Sequence, residues 1–296
     1  CESLRHMRPW IVASALATLM CFTSTCYFFA IPEEIKKSPT SRAGYWGQPD
    51  AEFNWCELDY QLVDWIAEPV NTASCLVMVA LPLMFLATHE ATLDNTVIGW
   101  LEVAIAVGSI LFHATLRYPM QLADEIPMLW YVAAVDSSCL WRLRDIDVTY
   151  LTTGWVAVVT GAILVTEQHS FIHEIFRGLM TCSFSTGLVV IGWGASALVA
   201  RIKREVSEKQ RRAAAAAEGI LYCALLMFAL SVVSWLLDNY FCSVLRNLPG
   251  GLPYPQLHTW WHVLIAMTLH CIMLLLHLDS RRHSSSLEVD YVAGFF

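Results

Sequence analysis

The chain has 296 residues, of which 56% are hydrophobic and only 15% charged, and its formal net charge is −8. A soluble domain carries roughly 25% charged residues, so this composition describes an integral membrane protein held by several spans rather than a single anchor. The acidic surplus excludes a basic nucleic-acid surface, and the chain lacks a P-loop, a GxGxxG fingerprint, a GxSxG elbow and any repeat of solenoid period.

The first apolar run, 10–31, follows Arg5 and Arg8 and reads as a signal peptide or a signal anchor. Its length favours a span. A polar linker closes an N-terminal extension at 1–44, and a dense polar and aromatic segment leads to Glu68. Apolar runs then recur at 70–88, 96–116, 122–141, 150–166, 174–199, 218–237 and 258–278. Each is long enough, or nearly so, to cross a bilayer as a helix. The expected fold is therefore all-α: a polytopic seven-transmembrane helix bundle over 45–280, with an optional eighth span or signal sequence in front and a short tail at 281–296.

Basic residues set the orientation. One side of the seven runs receives Arg142, Arg144, Arg201, Lys203, Arg204, Lys209, Arg211, Arg212, Arg281 and Arg282, while the other receives Lys36, Lys37, Arg42, Arg117 and Arg246. The richer side is cytosolic, and the C-terminus falls there.

Polar residues inside such runs are costly and are functional candidates by default. His258 and His262 stand four apart and share one helix face, so both imidazoles can address one divalent ion. His113 closes the second run, preceded by Ser109 one turn earlier and followed across a short loop by Asp124. All of these fall at the lumenal end of the predicted bundle. Three neutral nitrogens leave a fourth position on zinc for water, which the metal activates. Asp124 is the carboxylate placed to shuttle the proton, and Ser109 to hydrogen-bond the water or the oxyanion. A single membrane histidine is more often a packing residue, and His89, His169, His173, His270 and His277 are read that way. It is the convergence at one end that points to a metal.

Asn54, Glu57, Asp59 and Glu68 place four oxygen-bearing side chains in one short segment. Spacing alone reads as a solvated acidic loop with helix-capping roles; hard oxygen ligands for calcium are the second reading. Most of the ten cysteines lie within apolar runs as small buried thiols. Cys56 and Cys242 flank the lumenal segments, where a disulfide between them would tie the first loop to the one before the two-histidine helix.

The strings YWG (45–47), NWCELDY (54–60), AEPVNTAS (67–74), GSILFHATLRYPMQLADEIPM (108–128), DNYFCSVLRN (238–247) and HTWWH (258–262) resemble the alkaline ceramidases, in order from about residue 44 to 280. The resemblance implies a seven-helix membrane amidase, related in fold to the adiponectin receptors, that cleaves ceramide into a sphingoid base and a fatty acid. It places zinc on His113, His258 and His262 and catalysis on Ser109 and Asp124. It also implies calcium on Asn54, Glu57, Asp59, Glu68 and the backbone carbonyl of Trp55, in place of a merely solvated loop, and a Cys56–Cys242 disulfide. Asn54 and Asp59 stand where other members carry Asp and Asn, which keeps an oxygen at each place and leaves the ligand charge unchanged. Pro69-Val70 replaces an aromatic pair found in some members.

The expected partners are a ceramide-type lipid and the surrounding membrane, in the endoplasmic reticulum or Golgi, with no nucleic acid and no protein partner. The rival readings are a receptor-like member of the same superfamily, a hydrolase of another lipid amide, and a transporter with a His/Asp proton relay. Clustering of the polar residues at one end rather than at mid-membrane argues against the transporter.

Overall fold

Seven long helices follow the seven apolar runs. In a computed structural model of the protein, which describes residues 43–205 and 211–282, they are α1 (Pro69–Thr88), α2 (Leu93–Thr115), α3 (Tyr118–Arg144), α4 (Thr149–Val165), α5 (Phe171–Glu205), α6 (Arg211–Tyr240) and α7 (Leu257–Arg281). A one-turn helix (Cys242–Leu245) and a 3₁₀ turn (Pro249–Gly251) fill the connection before α7. Apart from two isolated bridges, no β-pairing occurs among the described residues. The apolar run 10–31, and with it the choice between signal and span, lies outside the described residues, as does the tail from 283.

Local chemistry explains the boundaries. A proline opens α1 in its first turn, where its missing N–H costs nothing. The Thr92 side chain caps α2 by accepting from the Asn95 N–H. Leu116, in the left-handed conformation at φ 50°, ends α2 and turns the chain into α3. Helices α5 and α6 run beyond their apolar stretches. α5 continues through Lys203 and Arg204, and α6 opens on the Ala213–Ala217 run, both strong helix formers that do not need lipid around them.

Among the described residues, five helices are long and apolar enough to cross a membrane on those grounds alone: α1, α2, α5, the 213–240 part of α6, and α7. α4 is a shorter apolar helix of 17 residues. α3 has the length, but Gln121, Asp124, Glu125 and Asp136 lower its hydropathy, and it crosses only if the bundle shelters them. The surface is inverted relative to a soluble protein. Leu76, Val158 and Leu164 are exposed while Asn71, Glu102, His113 and Gln121 are buried, the arrangement of a polytopic membrane protein.

α7 is the hub, packing against α6, α1, α5 and α2, while α2 also lies along α1 and α3, and α4 sits outside on α3 and α5. The α2–α3 contact is backbone-close at Gly108, where a Cβ would stand 2.1 Å from the Ala123 carbonyl oxygen and 2.7 Å from Asp124 Cα. Only glycine fits there, and Ser109 is its neighbour.

Candidate metal centre

The segment before α1 is threaded over the ends of α2 and α3. The Ala67 and Glu68 N–H groups donate to the Ala114 and His113 carbonyls, and those of Asp50 and Ala51 to the Leu116 carbonyl. Asp50 accepts from the Tyr118 N–H, capping α3 from outside, and pairs with Arg117 at 2.8 Å. Two further carboxylates cap helices in the same way. Glu57 accepts from Val70 N and Asn71 N, both at 2.8 Å, at the start of α1. Asp238, from the end of α6, accepts from His258 N at 3.2 Å, at the start of α7, and from Cys56 N at 3.1 Å. Neither α1 nor α7 has a side-chain cap of its own, so the orphan N–H groups at these helix starts are satisfied from a distance.

Inside this frame the three predicted histidines meet. His113, His258 and His262 are all buried, with ring centroids 4.6, 4.8 and 5.0 Å apart. Two rings have their tautomers fixed. His113 Nδ1 lies 2.5 Å from Glu68 Oε2, so it donates there and leaves Nε2 free. Ser74 spends its proton on the Asn71 carbonyl, so its oxygen accepts from His262 Nδ1 at 2.7 Å and leaves Nε2 unprotonated, with Cys75 Sγ 4.0 Å from it. The third ring, His258, stacks on Trp55 at 3.8 Å, and its Nδ1 is buried with no partner in the structure. Donor atoms of Cys75, His113 and His262 lie within 4.8 Å of one another, all buried. Imidazole and thiol are the donor types zinc takes, so this group fits a zinc ion; Cys75 rather than the predicted His258 completes it, although the His258 ring lies 5.0 and 4.6 Å from those of His113 and His262.

Ser109 is buried beside Gly108, whose close contact with the Ala123 and Asp124 backbone brings the Ser109 and Asp124 positions to one point of the α2–α3 interface. Glu125 turns instead to buried Arg177, which pairs with Glu52 of the first segment at 2.8 Å.

The acidic segment is packed rather than solvated: Glu57, Asp59 and Glu68 are buried. Burial, together with neighbouring Glu68 and Asp59, pushes the Glu57 carboxyl up to about 7 against the backbone N–H groups it accepts from. Burial also raises Asp59, and raises Glu68 well above the usual carboxylate range. Asn54 donates to Asp59 at 2.9 Å, while its own Oδ1 is buried and without a partner. Three crowded carboxylates and an orphaned amide oxygen are a donor set suited to calcium. Cys56 and Cys242 are joined in a disulfide, with Cα atoms 5.4 Å apart, and Arg246 donates to the Cys56 and Glu57 carbonyls beside it.

Several contributors have no signal in the spacing. Cys75 reads as one more buried thiol in an apolar run, yet its Sγ lies 3.6 Å from His262 Nδ1. Asn71, also buried, donates to Glu68 and accepts from Thr259 of α7 at 3.1 Å. Of the histidines read as packing residues, His173 is buried and bonded to Tyr118 and Thr166, away from the centre.

The fold and the centre together define a polytopic helical membrane protein with a buried histidine cluster at one end of its bundle. Comparison with known proteins narrows this. The chain belongs to the Ceramidase family, whose model matches residues 47–292. It is 26% identical to alkaline ceramidase 3 of Mus musculus over 240 residues, 76% of this chain and 82% of that protein. It is 28% identical to the alkaline ceramidase YPC1 of Saccharomyces cerevisiae over 253 residues, 78% and 77% of the two chains. With alkaline ceramidase 1 of Homo sapiens the identity is 26% over 226 residues, covering 74% and 78%.

Proposed function

We propose that this protein hydrolyses the amide bond of ceramides to a sphingoid base and a free fatty acid, at a zinc ion held by His113, His258 and His262. The observation that carries the reading is the meeting of three buried imidazoles at one end of a membrane bundle, with Ser109 and Asp124 at the close α2–α3 contact of Gly108. Family membership and the ceramidase relatives supply the substrate class.

Zinc in this setting supplies Lewis acidity, polarising a carbonyl and lowering the pKa of water to about 7. The remaining work belongs to the chain. Asp124 takes the proton from the attacking water and returns it to the departing nitrogen, so that the amine leaves neutral. Ser109 hydrogen-bonds the developing oxyanion and holds Asp124 in place. Glu68 and Ser74 fix the His113 and His262 tautomers, and the Trp55 ring covers His258. Calcium, held by Asn54, the Trp55 carbonyl, Glu57, Asp59 and Glu68, would brace the first segment against α1 and α2 without joining the chemistry. All seven helices cross the membrane in this reading, with the centre facing the lumen of the endoplasmic reticulum or Golgi and the C-terminus cytosolic.

The test is product analysis on detergent-purified protein given defined ceramides. Equimolar sphingoid base and fatty acid, lost in His262→Ala, support the reading. Absence of both products from every ceramide would transfer the function to another lipid amide or to a receptor.

A further inference from the structure

Twelve residues after Asp124 on α3, about 18 Å along the helix toward the opposite end of the bundle, stands an ionisable group that the reaction does not use. Asp136 lines a cavity of ≈ 100 Å³ between α3, α4 and α5, together with Leu129, Thr152, Trp155, Val156 and Ser183. Thr152 lies in the first turn of α4 and Asp136 two turns from the end of α3, so the cavity sits about 5–12 Å inside that end of the bundle. Trp155, on its outer wall, is 45% exposed, so the cavity borders the lipid-facing flank of α4.

The polar groups of this cavity are unequal. Thr152 shares a hydrogen bond with Ser137 at 2.9 Å, and Ser183 accepts from Trp155 Nε1 at 2.9 Å. Asp136 Oδ1 is buried with no partner in the structure. No Lys, Arg or His lines the cavity. Gly187 of α5 lets the two helices close on one another beside the cavity: a Cβ there would stand 1.9 Å from Val132 Cγ1 and 2.9 Å from Asp136 Oδ2.

A carboxylate in an apolar membrane setting needs a cation or a proton, and intramembrane ionisable residues mark ligand sites. A cation arriving through lipid must carry its own apolar chain. The lining suits one: a carboxylate and two hydroxyl oxygens at the head, with Leu129, Val132 and Val156 along the chain. We propose that this cavity binds the ammonium head of a single-chain long-chain amine drawn from the adjacent membrane leaflet. The sphingoid-base product is such an amine, and naming it as the natural ligand rests on the function proposed above; the site itself does not.

The test uses the full-length protein in detergent and a photoreactive octadecylamine. The account predicts saturable labelling of α3–α5 peptides around the cavity, competed by octadecylamine but not by octadecanol or stearic acid. Labelling should fall at least about tenfold in Asp136→Asn and persist in His262→Ala, so the result is independent of hydrolysis. If Asp136→Asn does not fold, Ser183→Leu, which fills the cavity from its α5 wall beside an intact carboxylate, decides the same point. Undiminished labelling in the folded variant, or equal competition by octadecanol, overturns the proposal.

Discussion

Glu68 Oε2 lies 2.5 Å from His113 Nδ1, with both side chains buried, and the other oxygen of the same carboxylate accepts from the Trp55 N–H at 3.2 Å. One residue therefore orients a histidine of the proposed zinc site and holds the segment proposed to bind calcium. A carboxylate behind a metal-bound imidazole fixes its tautomer and raises its basicity, and losing one typically costs about 10–100-fold in metal affinity or activity. Glu68→Gln keeps the shape but weakens the acceptor. It should loosen zinc by a factor in that range, read by competition with a chromogenic chelator, and unchanged affinity would reduce Glu68 to a loop anchor.

The Gly108 contact gives a prediction about geometry rather than ligands. A Cβ at this position meets backbone, which cannot swing aside, so Gly108→Ala must push α2 and α3 apart. Overpacking of this kind costs about 1–3 kcal/mol. It should also separate Ser109 from Asp124, so turnover should drop more than about tenfold while zinc content stays at the wild-type level. Full turnover would show that the Ser109–Asp124 pair is dispensable.

Calcium and pH should act against each other. The Glu57 carboxyl sits at about 7 in the fold against 4.5 ordinarily, because burial disfavours its charge. The stability this contributes is complete below about 4.5 and is lost as pH rises through about 7, since the folded state then gives up a proton it held more tightly than the unfolded chain. A cation that balances the ionised carboxylates offsets that loss. The rise in Tm caused by calcium should therefore be small at pH 5.5 and large at pH 8, measured by thermal scans with calcium and with a calcium-selective chelator. A calcium effect independent of pH would place the ion elsewhere.

The Cys56–Cys242 link closes a sequence separation of 186 residues. Removing a native disulfide typically costs about 2–5 kcal/mol. Cys56→Ser with Cys242→Ser should lower Tm and weaken calcium binding, because the loop bearing Asn54, Glu57 and Asp59 then loses its covalent link and keeps only non-covalent contacts there, such as those to Asp238, Trp235 and Arg246. Wild-type stability under oxidising conditions would contradict this.

What the sequence carried was what periodicity can carry. The i, i+4 pair His258–His262, the Ser109–His113 turn and the apolar runs are local patterns, and each became a helix face in the expected place. The bland alternative for the acidic segment also held in part, since Glu57 does cap a helix, though in a buried setting rather than a solvated one. What was not legible depends on pairing distant residues. Asp238 reaches Cys56 across 182 positions, and Ser74 reaches His262 across 188. No spacing rule links such positions. The ends of α5 and α6 lie beyond the apolar runs for a different reason: Lys, Arg and Ala sustain a helix whether or not lipid surrounds it.

The most direct test joins metal and chemistry in one sample: zinc content and fatty-acid release from a defined ceramide, measured on purified wild type and Asp124→Asn. The account predicts about one zinc per chain in both, with release only from wild type. Zinc lost along with activity in Asp124→Asn would make Asp124 a ligand rather than the proton carrier. Release retained by a zinc-loaded Asp124→Asn would contradict the proposed chemistry outright.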